Sequence, residues 1–166
     1  SDGKSLVAVA RGRTRAEGVR IAVDLLGGIR RAISAPHSVL IKPNFNSSDL
    51  FPASSHPDHL QVLIELMREA GCEEIDIGEL GGLLSLPAAR NFERWGMDEF
   101  QKKNGNGVVL FDEEPWVKGR VPGAHRWGGW IHCQERVLRP NQQIVSAPAM
   151  KSHGGGPRFS LSLKNG

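Results

Sequence analysis

Cysteine is scarce in this chain of 166 residues: Cys72 and Cys133 are the two present, and neither belongs to a Cys-x-x-Cys pair. An iron–sulfur cluster takes about four ligands, so no iron–sulfur ligand set lies within the chain. Spacing alone leaves a single disulfide between the two cysteines undecided. No apolar run approaches the roughly 18 residues of a membrane-spanning helix, so a soluble chain without a membrane partner is expected. The phosphate-loop pattern Gly-x-x-x-x-Gly-Lys-Ser/Thr is absent, as is Gly-x-Gly-x-x-Gly. Without a Gly-x-Ser-x-Gly elbow, a serine hydrolase of that type is not expected either. A strong excess of one charge is also lacking. The net charge is +3, the isoelectric point is about 9.1, and the densest basic cluster is Arg11, Arg13 and Arg15. A nucleic-acid partner would call for a basic stripe with interleaved stacking aromatics. Neither is evident, whereas small anionic ligands suit this composition.

What the chain has is alternation of strand-like and helix-like segments. Residues 5–12 read as a first strand. A helix follows, opened by the Thr14-x-x-Glu17 capping box and weakened at Gly27 and Gly28. Residues 37–45 form a short apolar run stopped by Pro43, as in a buried parallel strand. The next helix starts after Ser55 or His56, carries Pro57 in its first turn, and stops at Gly71. A strand at 73–80 completes a β–loop–α–β unit. A helical stretch broken at Gly96 leads to a strand at 107–114. The tryptophan-rich segment 115–143 suggests a hairpin whose second strand lies in 130–138. A buried strand spans 143–150, and residues 158–165 read as a strand or a helix start. This order predicts an α/β fold: one open, mainly parallel sheet with helices packed on its faces, in a single domain covering 1–166.

Ionisable groups then cluster where those strands end. One strand ends in Lys42, Pro43 and Asn44, another in Glu79, a third in Asp112, Glu113 and Glu114. The last ends in Lys151, Ser152 and His153. In an open parallel sheet these ends share one edge, where ligands bind in a crevice. Each also has a plainer reading. Lys42 suits a solvated strand end, Glu79 a helix cap or an ion pair, and 112–114 a solvated turn. Lys151 and His153 share one side of an extended chain, as one wall of a crevice or as two surface groups. Gly154, Gly155 and Gly156 fit a flexible turn as well as close backbone approach to a ligand. His56 and His59 read as capping and solvent-facing groups before metal ligands, and His125, His132 and Cys133 make only a weak metal set.

The motifs at 39–45, 56–79, 147–154 and 161–166, in this order and spacing, resemble those of domain-of-unknown-function family 362 of bacteria and archaea. The resemblance runs from about residue 37 to 166. It implies that Lys42, Asn44, Glu79, Lys151, His153, Lys164 and Asn165 are site residues. Longer members carry a ferredoxin-like iron–sulfur segment, which this chain lacks. Some carry a twin-arginine export signal, and the fold is distantly similar to the amino-terminal domain of nickel-pincer lactate racemases. The chain starts at Ser1 without a charged-then-apolar leader, so a cut or processed form is expected, in the bacterial cytoplasm or exported. It stops after Asn165 and Gly166, where longer relatives continue, so truncation of the site is a further expectation.

The expected function is an enzyme domain that takes a small carboxylate or phosphate ligand in that crevice. Lys42, Lys164 and Asn165 with Asn44 would bind the ligand, and Lys151, His153 and Glu79 would serve catalysis, with histidine and a buried glutamate as proton carriers. Two alternatives stay open: a redox or metal-linked domain serving a cluster carried elsewhere, and a non-catalytic binding module. The cofactor and the oligomeric state are not fixed by the sequence.

Overall fold

Three consecutive apolar residues, Val39, Leu40 and Ile41, are almost fully buried, as a strand covered on both faces must be. A computed structural model describes residues 4–33, 38–45, 47–82, 86–120, 126–152 and 159–160. The elements in chain order are α1 (Arg15–Leu25), α2 (Ile29–Ala32), β1 (Ser38–Lys42), α3 (Pro57–Ala70) and β2 (Glu74–Glu79). Then come α4 (Ala88–Arg94), α5 (Met97–Asn104), β3 (Gly107–Leu110), β4 (Trp116–Arg120), β5 (Trp130–Gln134) and β6 (Gln142–Ser146). Two-residue strands β7 (Lys151–Ser152) and β8 (Phe159–Ser160) pair with each other in antiparallel fashion. The main sheet is wholly parallel, in the order β3-β2-β1-β6. Strands β4 and β5 form a separate antiparallel hairpin.

Local chemistry explains the helix boundaries. The Thr14 hydroxyl accepts from the Glu17 backbone N–H (3.1 Å), and the Glu17 carboxylate reaches back to the Arg13 N–H (2.6 Å). Helix α3 is capped by His56, whose Nδ1 accepts from the Asp58 N–H (3.2 Å). It ends at Gly71, in the left-handed conformation at φ 98° that glycine tolerates best. The break between α4 and α5 falls at Gly96, as its position in the sequence suggests.

Alternation along the strands divides the core in two. Val39, Ile41, Ile75 and Ile77 face one side, where α3 packs with Phe92 of α4 and Met97 of α5. Val19 of α1 and Ile29 of α2 lie against the same cluster. Leu40, Val109 and Phe111 form a smaller cluster on the other side, covered by Val137. Val137 belongs to a 3-10 helix at Glu135–Leu138, held by charge: Arg136 donates to the buried carboxylate of Asp76 and to Glu74 (3.0 Å), which also accepts from Arg139 (2.6 Å).

Three expectations need correction. Residues 4–12 form no strand, and Leu6, Val7 and Val9 are exposed. Apolar β-formers need a pleated neighbour to pack against, and this segment has none among the described residues. It turns sharply into α1 at Gly12, where a Cβ would sit 2.3 Å from the Gly18 nitrogen. Strand β6 is neither fully buried nor as long as 143–150. Among the described residues it is an edge strand, with Ile144 49% exposed, and it stops at Ser146. The last ladder-like bond runs from the Ala147 N–H to the Lys42 carbonyl (2.8 Å); the Asn44 N–H and carbonyl, the next groups along β1, go to Ser55 instead of continuing the ladder. The second hairpin strand likewise ends at Gln134, and residues 135–138 are the 3-10 helix.

Two outcomes are expected. A Cβ at Gly78 would lie 2.7 Å from the Phe111 ring and 2.9 Å from a Leu40 methyl. Gly78→Ala should therefore destabilise by about 1–3 kcal/mol through overpacking, read as a lower urea midpoint. Burial, and then the neighbouring His56, lower the His59 pKa from its usual 6.5. The unfolded chain therefore binds the proton more readily, and stability falls as pH drops from 6.5 towards the lowered folded value. Urea unfolding at pH 7.5 and 5.5 should show this loss, and His59→Gln should reduce it.

Candidate functional site at the carboxyl edge of the sheet

Adjacent parallel strands put the last residues of β1 and β2 side by side. The Lys42 ammonium donates to Glu79 Oε1 at 2.8 Å. The same oxygen accepts from the Leu80 N–H (3.0 Å), and Oε2 accepts from the Phe45 N–H (2.8 Å). The Glu79 side chain is 3% exposed and that of Lys42 is 19% exposed. Burial pushes the Glu79 carboxyl up from its usual range, against the pull of Lys42 and the two backbone donors. Of the plain readings of Glu79, the ion pair is therefore the one realised, with both carboxylate oxygens engaged.

The segment 42–45 turns away from this pair with every residue anchored. Pro43 is buried. The Asn44 N–H donates to the Ser55 hydroxyl (2.9 Å), and the Ser55 N–H donates to the Asn44 carbonyl (3.0 Å). The Ser55 hydroxyl donates in turn to the Ala147 carbonyl (2.7 Å). Phe45 is fully buried, stacked on Trp95 with ring centroids 5.1 Å apart and edge-on to Phe92 at 5.8 Å. The buried side-chain oxygen Oδ1 of Asn44 has no hydrogen-bond partner among the described residues.

Lys151 does not extend β6. It lies in β7, and its ammonium donates to the carbonyl of Ala53, two residues before Ser55. The structure thus gathers Lys42, Asn44, Glu79 and Lys151 around the 43–55 loop and the 147–151 segment. His153, Lys164 and Asn165 lie outside the described residues, as do Gly154, Gly155, Gly156 and His125. Asp112 follows β3 as an exposed side chain, and its Oδ2 accepts from the Ala88 N–H (2.8 Å) at the start of α4. Cys72 and Cys133 are free thiols. Among the described residues no three His, Cys, Asp or Glu side chains are grouped so as to hold a metal ion, and no helix is long and apolar enough to cross a membrane.

Residues 39–166 match the model of a domain of unknown function, DUF362. The chain belongs to the DUF362 family. Comparison with curated proteins and with solved structures gives no match. The DUF362 region contains the whole parallel sheet apart from its first residue, Ser38, and all seven expected site residues; α1 and α2 precede it.

Two features of this DUF362 domain were not anticipated. Ser55, expected at most as a helix cap, instead ties the β1 loop to Ala147. Its place two residues before Pro57 resembles any cap signal, so only the tertiary partner reveals the role. A cleft of about 950 Å³ also opens beside the Lys42–Glu79 pair, between the Leu40 face of the sheet and the β4–β5 hairpin. Lys42 and Leu80 line it together with Phe111, Trp116, Trp130 and Ile144. The tryptophan content of the hairpin was the available signal.

Glu79 serves three donors and Lys42 is one of those three, so the pair is asymmetric. Glu79→Ala should cost about 3 kcal/mol or more, because it removes the buried counter-charge of Lys42 and the acceptor of two backbone N–H groups. Lys42→Ala should cost about 1–2 kcal/mol, since the carboxylate keeps both backbone donors. Urea denaturation of the two variants checks the order; equal losses would contradict it.

Proposed function

We propose that the domain binds a small anionic ligand, a carboxylate or a phosphate, at the carboxyl edge of its sheet and acts on it as an enzyme. The observation that carries this reading is the joining of β1, its loop and the 147–151 segment through Ser55. That joining sets Lys42 and Lys151 on parts of the chain held to one another. Cationic donors favour carboxylate and phosphate partners, with charge-assisted hydrogen bonds roughly twice as strong as neutral ones. The carboxyl edge of an open parallel sheet is where such ligands are bound.

The hydrogen bonding of Glu79 supports a division of labour. A carboxylate that holds an ammonium and two backbone N–H groups is suited to positioning Lys42 and the 43–45 turn. Proton transfer in this reading falls to His153, whose imidazole titrates near neutrality. Lys164 and Asn165 complete the ligand contacts, one with charge and one with directional hydrogen bonds. The unpartnered Oδ1 of Asn44 is an acceptor that a ligand hydroxyl or a protonated acid could satisfy.

Calorimetric titration of the full chain with inorganic phosphate and with acetate tests the reading. Saturable binding is expected, weakened about tenfold or more in Lys151→Ala, the loss of one charge-assisted hydrogen bond. Binding that is unchanged in Lys151→Ala, or absent for both anions, would overturn it.

A further inference from the structure

Large apolar side chains left in water around a concave surface point to something that covers them. Beside the Lys42–Glu79 pair, Trp116 is 52% exposed, Trp130 45% and Ile144 49%, and all three line the cleft of about 950 Å³. Its size lies within the range of small-molecule sites, roughly 300–1,000 Å³. It offers far more room than a bare phosphate or acetate fills.

The hairpin register explains how this wall arises. Lys118 pairs with His132, Trp116 with Gln134, and Arg120 with Trp130. Side chains alternate along a strand, so Trp116, Lys118, Trp130 and His132 share one side of the hairpin. The Lys118 ammonium sits 4.8 Å from the centre of the Trp130 ring, a cation–π contact that keeps positive charge against the aromatic wall. Across the cleft stand Leu40, Phe111 and Ile144. Among the described lining residues there is no aspartate or glutamate, while Lys42 and Lys118 both contribute. An apolar chamber with cationic residues and no lining acid complements one class of small molecule: an acid with an apolar body.

We propose that the ligand is such an amphipathic acid, with its carboxylate or phosphate head at the Lys42 end and its apolar, preferably aromatic, body between the hairpin tryptophans and Ile144. The inference rests on the anion-binding reading above and narrows it from small anions to those carrying an apolar body. Lys42 and Leu80 make the connection. Both line the cleft, and both donate to Glu79, Lys42 through its ammonium and Leu80 through its N–H. The head and the body of one molecule therefore meet a continuous surface.

The test titrates the full chain with acetate, 3-phenylpropionate, 3-phenylpropanol, inorganic phosphate and phenyl phosphate, following heat and tryptophan emission. Tenfold or greater preference is expected for 3-phenylpropionate over acetate, or for phenyl phosphate over phosphate, and the preferred pair names the head group. The neutral alcohol should bind more weakly than the acid. Trp130→Ala and Ile144→Ser, both at half-exposed positions and checked for unchanged thermal unfolding, should each weaken the aromatic acid about fivefold or more. They should leave acetate and phosphate binding as in the wild type. If acetate or phosphate binds but the aromatic acids bind no tighter, the cleft proposal falls while the anion site stands. It also falls if the alcohol matches the acid, or if both variants bind 3-phenylpropionate as the wild type does. If none of the anions binds, both readings fall.

Discussion

A buried carboxylate at the end of a strand has to be satisfied, and in this protein that requirement organises the functional edge. Glu79 meets it with one ammonium and two backbone N–H groups, drawn from β1, from the turn after β1 and from the residue following β2. Removing a charge from water costs several kcal/mol before compensation, so the partners are held in place as firmly as they hold the carboxylate. The chain leaving β1 therefore has little freedom over residues 42–45. Phe45 is driven into the aromatic cluster with Trp95 and Phe92, and Asn44 is delivered to Ser55. Everything proposed for the edge and the cleft depends on this arrangement, because it fixes the direction of the Lys42 side chain.

A second buried charge does comparable work on the opposite face. Asp76 points away from the helices, and Arg136 reaches it from the 3-10 helix that follows the hairpin. The hairpin thus comes to stand over the Leu40 face through an ion pair more than through apolar packing, for the core cluster there is small. A face closed by a charged tether rather than a packed helix leaves room beside it, and that room is the cleft.

The parallel core was legible in the sequence because its signals are local. The apolar run at 39–41, the Pro57 start and Gly71 stop of α3, and the break at Gly96 each act within a few residues. The Lys42 and Glu79 positions followed from those boundaries. The Ser55 tie to Ala147 spans 92 residues and the Arg136–Asp76 pair spans 60. Nothing in the local pattern of either residue marks its distant partner. Residues 5–12 misled for the opposite reason: their local pattern is that of a strand, but no neighbouring strand meets them among the described residues. The end of β6 at Ser146 depends on a distant partner too, because the Asn44 N–H and carbonyl that would carry the ladder on are taken by Ser55.

This early end of β6 has a geometric consequence. Lys151 lies five residues beyond Ser146, and a strand advances about 3.3 Å per residue, so an unbroken β6 would have carried it roughly 16 Å past the end of the sheet. With the ladder ended at Ala147, the Lys151 ammonium comes to rest instead on the carbonyl of Ala53, in the loop that follows β1. The two hydrogen bonds between Ser55 and the Asn44 backbone therefore go with a second lysine that rests on the loop following the first.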